Sequence, residues 1–111
     1  MKRYCLALDL VNDPELIIEY EHWHSTGNGW PEIKASIVDS GIIDMQIYRT
    51  GNRLFMIMDT DDSFSFERKA TMDAANPKVA DWEKLMWKFQ KPLDWARKDE
   101  KWVLMNQIFQ L

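Results

Sequence analysis

Cys5 is the only cysteine in 111 residues. An internal disulfide is therefore impossible, and the redox signature is that of a reducing compartment. Basic residues are not in excess: 14 Lys and Arg stand against 18 Asp and Glu, a formal charge of −4. That balance argues against a nucleic-acid partner, which requires a basic face. No apolar run approaches the ~20 residues needed to span a bilayer. The opening "MKRYCLALDLVND" is basic, but its apolar stretch is short and broken by Asp9, so it reads as a strand and not as a leader. Cytoplasm is the expected location, with no membrane partner. Glycine and proline number only four each. That leaves no linker or low-complexity segment, and one domain over residues 1–111 is expected.

Against these shortages stand six tryptophans and seven methionines. Large aromatics are favoured where a surface must be apolar yet specific, as in subunit interfaces and ligand pockets.

Residues 3–11, "RYCLALDLV", alternate and are rich in strand formers. "NDPE" follows as a helix start, with Asp13 as N-cap and Pro14 in the first helical position. This helix runs through "ELIIEYEHWH", loosens at "STGNG", restarts at Pro31 and stops at Gly41. "IIDMQIYRTGNRLFMIMDT" is the clearest feature, two apolar strands around a Gly51-Asn52 turn. The acidic run "DTDDS" is explained as a strand-to-helix cap through Asp62 or Ser63. "SFSFERKATMDA" is a short helix, and "PKVADWEKLMWKFQ" is a better one, with Val79, Trp82, Met86 and Phe89 on one side. "KWVLMNQIF" is expected to close the chain as a last strand.

The fold class is therefore α+β, a ferredoxin-like βαββαβ arrangement whose first helix is broken in two. Its antiparallel sheet carries helices on one face. Strands this apolar need cover on the other face too. A second copy of the chain supplies it economically, as in dimeric α/β-barrel proteins.

Both histidines lie in "EYEHWHSTGNGWPE". At about 100° per residue, Leu16, Ile17, Tyr20, Trp23 and His24 share one arc, and His22 falls outside it among glutamates. The two histidines thus face opposite sides. A chelating pair on a helix needs a spacing of three or four, so no metal site is expected. His24, one turn after Tyr20, is either a satisfied core histidine or half of an acid/base pair in a half-apolar pocket. Trp30, Trp82 and Trp87 are either stacking platforms for a ligand or core and dimer contacts.

The ordered set Tyr20-x-x-x-His24, Trp30-Pro31-Glu32, Gly41 before a strand ending Ile47-Tyr48, Leu54-Phe55, Trp82 with Lys84 and Met86, and Ile108-Phe109 runs almost end to end. In this set the chain resembles the L-rhamnose mutarotase family, small dimeric α/β proteins that interconvert sugar anomers. The resemblance implies an isomerase working on a monosaccharide without cofactor, as a homodimer. His24 is implied as the catalytic histidine, Tyr20 as its assistant, and Trp82 as an aromatic lining the sugar site. Trp30, Met45 and Glu32, on the matching segments, are further candidates for substrate binding. The histidine-to-WPE interval is longer here, filled by "STGNG". Met45 stands where typical rhamnose enzymes carry an active-site tyrosine, and Glu83 where they carry a second tryptophan. A site lacking that hydroxyl selects its sugar differently, which sets L-fucose beside L-rhamnose as the expected substrate. The alternative is a non-catalytic ligand-binding protein, or another cofactor-free activity on the same fold.

Overall fold

The structure is a computed structural model describing residues 1–111. Nine elements follow in the order β1 (Lys2–Leu10), α1 (Pro14–His24), α2 (Pro31–Asp39), β2 (Ile42–Thr50), β3 (Arg53–Thr60), α3 (Phe66–Ala74), α4 (Pro77–Met86), β4 (Gln90–Lys91) and β5 (Val103–Leu104). All strand pairs are antiparallel, in the spatial order β2-β3-β1-β4, and β5 also pairs with β1. The sheet is open.

Two-residue alternation builds the inner face of this sheet. The β1–β3 register sets Leu6 opposite Met56 and Leu8 opposite Leu54. These four, with Leu10 and Met58, are buried. One core cluster joins Leu10 and Leu54 to Tyr20 of α1, Trp82 and Met86 of α4, and Phe89. The other joins Leu6, Met56 and Met58 to Ile42 and Phe64. The helices therefore cover one face, as expected.

Local chemistry sets most boundaries. The Asp13 carboxylate accepts from the amides of Glu15 and Leu16, and Pro14 follows it. This satisfies donors that the first helical turn leaves free. Pro31 and Pro77 open α2 and α4 in the same way. Gly41, at φ +98°, ends α2 in the left-handed region. The position is also sterically closed, because a Cβ there would come within 2.9 Å of the Asp61 carboxylate. At the hairpin Gly51 has φ +57°. A positive φ at the first turn position suits the right-handed twist of the flanking strands.

Three expectations are corrected. The cap of α3 is Ser65, whose hydroxyl accepts from the Arg68 amide, not Asp62 or Ser63. Asp61 and Ser63 instead close their own turn, with the Asp61 carboxylate accepting from the Ser63 amide and hydroxyl. The fourth helix stops at Met86, short of Gln90. Lys88 and Phe89 donate to the carbonyls of Leu85 and Met86 in a tightened last turn. Gln90 and Lys91 then pair with Leu10 and Asp9. Helical periodicity fitted Phe89 equally well, and the free edge of β1 decided otherwise. Finally, only Val103–Leu104 of the last segment forms a strand, opposite Ala7 and Leu6, followed by one bond from the Met105 amide to the Cys5 carbonyl. Beyond it the chain runs exposed, Ile108 at 96% and Phe109 at 74%. Its alternation is that of a strand, but this chain offers it no further edge.

Candidate active site

Between the inner sheet face and the helices lies an open cavity of about 570 Å³, within the ~300–1,000 Å³ range of small-molecule sites. Its floor is Leu6, Met45, Ile47, Met56 and Met58, and its walls come from all four helices. Charged groups, including Lys34, the Lys69–Asp73 pair and Glu83, are also part of the lining.

Spacing of four on α1 brings Tyr20 and His24 together, with ring centroids 4.3 Å apart. Tyr20 is 3% exposed. His24 is open to solvent through the cavity, yet Tyr20 and Trp82 flank its ring. Its Nδ1 lies 2.8 Å from the Tyr20 main-chain oxygen. A carbonyl can only accept, so Nδ1 carries the hydrogen and Nε2 keeps the lone pair. Burial pushes the His24 pKa below its ordinary value, outweighing the opposite effect of that bond. Neutral pH therefore finds His24 uncharged, with Nε2 basic. Burial pushes the Tyr20 phenol up to about 12, with the Glu83 charge adding to the shift and a bond from Gln90 opposing it. Tyr20 is thus a hydrogen donor and not a base.

Trp82 is the hub of the aromatic wall. Trp30 lies 5.1 Å from it, centroid to centroid, His24 5.9 Å, and Trp23 6.2 Å and perpendicular. Edge-to-face packing of this kind fixes ring orientation as well as burying area. Trp87 sits outside, exposed beneath the Lys101 ammonium.

Five of the expected site residues, Tyr20, His24, Trp30, Met45 and Trp82, line this one cavity. Glu32 does not; it is exposed in the first turn of α2. Gln107 lies in the exposed C-terminal segment and is likewise outside the lining. His22 is exposed, on the other side of the helix from His24. Sequence reasoning assigned no role to Trp23 or Gln90, and both line the cavity. Trp23 Nε1 and Gln90 Oε1 are buried without a hydrogen-bond partner, an arrangement that calls for an explanation. Trp23 carried a signal, since it shares the helical arc of Tyr20 and His24. Gln90 carried none.

Residues 3–111 match the L-rhamnose mutarotase family. The chain belongs to the L-rhamnose mutarotase family.

Two relatives are similar along nearly the whole chain. An L-fucose mutarotase of Xanthomonas campestris pv. campestris is 42% identical over 111 residues, covering 100% of this chain and 89% of that protein. A UPF0734 protein of Dictyostelium discoideum is 35% identical, covering 99% of this chain and 90% of its own. Among solved structures, the L-rhamnose mutarotase of Formosa agariphila superimposes with a TM-score of 0.71 at 18% identity, covering 100% of this chain and 99% of that one. Tetracenomycin F2 cyclase of Streptomyces glaucescens gives 0.66 at 15% identity, covering 100% and 97%. These two establish the fold alone, and one of them is a polyketide cyclase, so the fold does not select the reaction. The family does: the chain is an isomerase of the sugar mutarotase kind. No helix is long and apolar enough to cross a membrane.

Proposed function

We propose that the protein interconverts the α and β anomers of a 6-deoxyhexose, L-fucose in preference to L-rhamnose, with His24 as base and Tyr20 as acid. The observation that carries this reading is the fixed tautomer of His24, which leaves a basic Nε2 one helical turn from a neutral phenol in the same cavity. His24 Nε2 takes the proton of the anomeric hydroxyl while Tyr20 O–H donates to the ring oxygen. The bond between the anomeric carbon and ring oxygen breaks, and the anomeric C–O becomes an aldehyde. Rotation about the adjacent carbon–carbon bond turns the other carbonyl face to the hydroxyl. On reclosure His24 returns its proton to the former aldehyde oxygen, and Tyr20 recovers its own. Burial disfavours both the imidazolium and the phenolate, which couples the two transfers. No group beyond the chain enters this scheme.

Met45 in the cavity floor, where rhamnose enzymes typically carry tyrosine, supports L-fucose, as does the 42% identical relative, an L-fucose mutarotase. NMR saturation transfer between anomers tests the reading. Protein is expected to accelerate exchange of L-fucose more than of L-rhamnose. Equal spontaneous rates with and without protein for both sugars would leave a binding protein.

The pH profile follows from the two shifts. His24 is lowered from 6.5, so its basic form already predominates at that pH and is lost as pH falls through the lower value. Tyr20 keeps its proton to about 12. Protein-catalysed exchange, corrected for the spontaneous rate, is therefore expected to stay flat from neutrality to about pH 10 and to fall on the acidic side. An acidic limb centred above pH 7 contradicts this assignment.

The active form is a homodimer in this reading. Apolar side chains as exposed as Ile108 and Phe109 on a C-terminal segment outside the sheet fit a strand donated to a second copy, which also covers the outer sheet face carrying Cys5, Ala7, Phe55 and Ile57. Light scattering should give the mass of two chains, and of one chain after removal of residues 105–111. A monomeric intact protein refutes it. The unpaired Cys5 supports placing the protein in the cytoplasm.

A further inference from the structure

Gln90 is 6% exposed and is held by the sheet, its main chain pairing with Leu10 of β1. Its side chain is divided between two tasks. Nε2 donates to the Tyr20 hydroxyl oxygen at 3.3 Å. Oε1 is buried with no partner in the protein, while the residue lines the cavity. A phenol has one hydrogen to give. With Gln90 donating to its oxygen, Tyr20 cannot spend that hydrogen on Gln90, and it has no other side-chain partner. The pair therefore leaves one donor, Tyr20 O–H, beside one acceptor, Gln90 Oε1. A pyranose offers the complement in a ring oxygen, which only accepts, and ring hydroxyls, which can donate.

We propose that Gln90 is the positioning residue that keeps Tyr20 a hydrogen donor toward the sugar ring oxygen, and that its own Oε1 receives a sugar hydroxyl. This inference rests on the mutarotase reading. Without Gln90, the phenol is free to rotate and to donate to whatever acceptor lies nearest, and the sugar hydroxyl loses its partner. Apolar replacement should therefore act on both turnover and affinity. A carboxylate at the same place should do more harm, because it can only accept and draws the Tyr20 hydrogen to itself. Protonating that carboxylate restores a donor toward Tyr20.

The test measures anomer exchange of L-fucose and L-rhamnose, at several concentrations and pH values, for wild type, Gln90→Met and Gln90→Glu. Methionine keeps the volume and unbranched shape. Gln90→Met is expected to lower kcat about tenfold and raise KM several-fold, the scale of losing one net hydrogen bond in each state. Gln90→Glu is expected to lose more at neutral pH, and its rate relative to wild type is expected to rise as pH falls, because protonating the carboxylate restores a donor toward Tyr20 while His24 titrates in both proteins. A residue with a merely structural role would leave that ratio independent of pH. Should Gln90→Met unfold, the isosteric Gln90→Glu profile still decides. Gln90→Glu with wild-type rate and profile would mean that Tyr20 donates to position 90, and it overturns the proposal, as does Gln90→Met with unchanged kcat and KM. A wild type that accelerates neither sugar removes the mutarotase reading and this inference with it. An active wild type with indifferent variants removes the inference alone.

Discussion

Substituting His24 by alanine should slow protein-catalysed anomer exchange by ~10²–10⁴-fold, the usual contribution of a positioned acid/base group. The expectation follows from three features of the ring. It lines the cavity, its Nδ1 hydrogen is committed to the Tyr20 carbonyl, and partial desolvation beside the Tyr20 and Trp82 rings lowers its pKa. Alanine leaves Tyr20 able to donate but removes the base, so ring opening loses the partner that takes the anomeric proton. Stability should change little by comparison, because His24 is open to the cavity and lies outside both core clusters. The informative comparison is thus rate against urea midpoint. Full exchange activity in His24→Ala would sink the assignment of the base, and a loss of rate that merely follows unfolding would sink the catalytic explanation.

Phe89→Ala is the second large effect, on stability. Phe89 is 0% exposed and meets the Tyr20 ring edge-on with centroids 6.0 Å apart. Its carbonyl accepts from the Val11 amide at 2.8 Å, tying the end of α4 to the end of β1. Deleting a buried phenyl typically costs about 3–5 kcal/mol through lost transfer energy and the cavity left behind. A domain of this size has only about 5–15 kcal/mol to lose. The urea midpoint should fall accordingly, with the slope unchanged. Trp87→Ala, two residues earlier and 44% exposed, should cost far less. A Phe89→Ala loss under about 1 kcal/mol would mean that the site collapses around the gap. Because Gln90 follows directly, exchange activity in Phe89→Ala should fall as well, even where the protein remains folded.

The site divides in the same way as the stability. Tyr20 and His24 were legible as a pair because residues four apart on a helix share a face whatever surrounds them. The apolar arc that includes Trp23 announced which side would be covered. What that arc could not convey is that His24 faces an open cavity, which removes the reading of it as an ordinary core histidine. Nor could it identify the hydrogen on Nδ1, which depends on a carbonyl at hydrogen-bond distance. Glu32 illustrates the converse. It neighbours Trp30 in the chain, but it is exposed in the first turn of α2, and adjacency in sequence did not make it adjacent to the cavity.

By itself the sequence determined β1, the hairpin at Gly51-Asn52, the starts of α1, α2 and α4 at Pro14, Pro31 and Pro77, and the stop at Gly41. Each depends on atoms within a turn or two: a fixed proline φ, a carboxylate reaching an amide, a glycine free of Cβ strain. Only the tertiary structure decided that α4 ends at Met86, that Gln90 enters the sheet, that residues 106–111 find no edge in their own chain, and that Trp23 Nε1 and Gln90 Oε1 are buried without partners. Those outcomes depend on which hydrogen-bonding groups of β1 remain free and on how much space four helices leave above a sheet. Both are set by residues far away in the chain, and no local pattern encodes them.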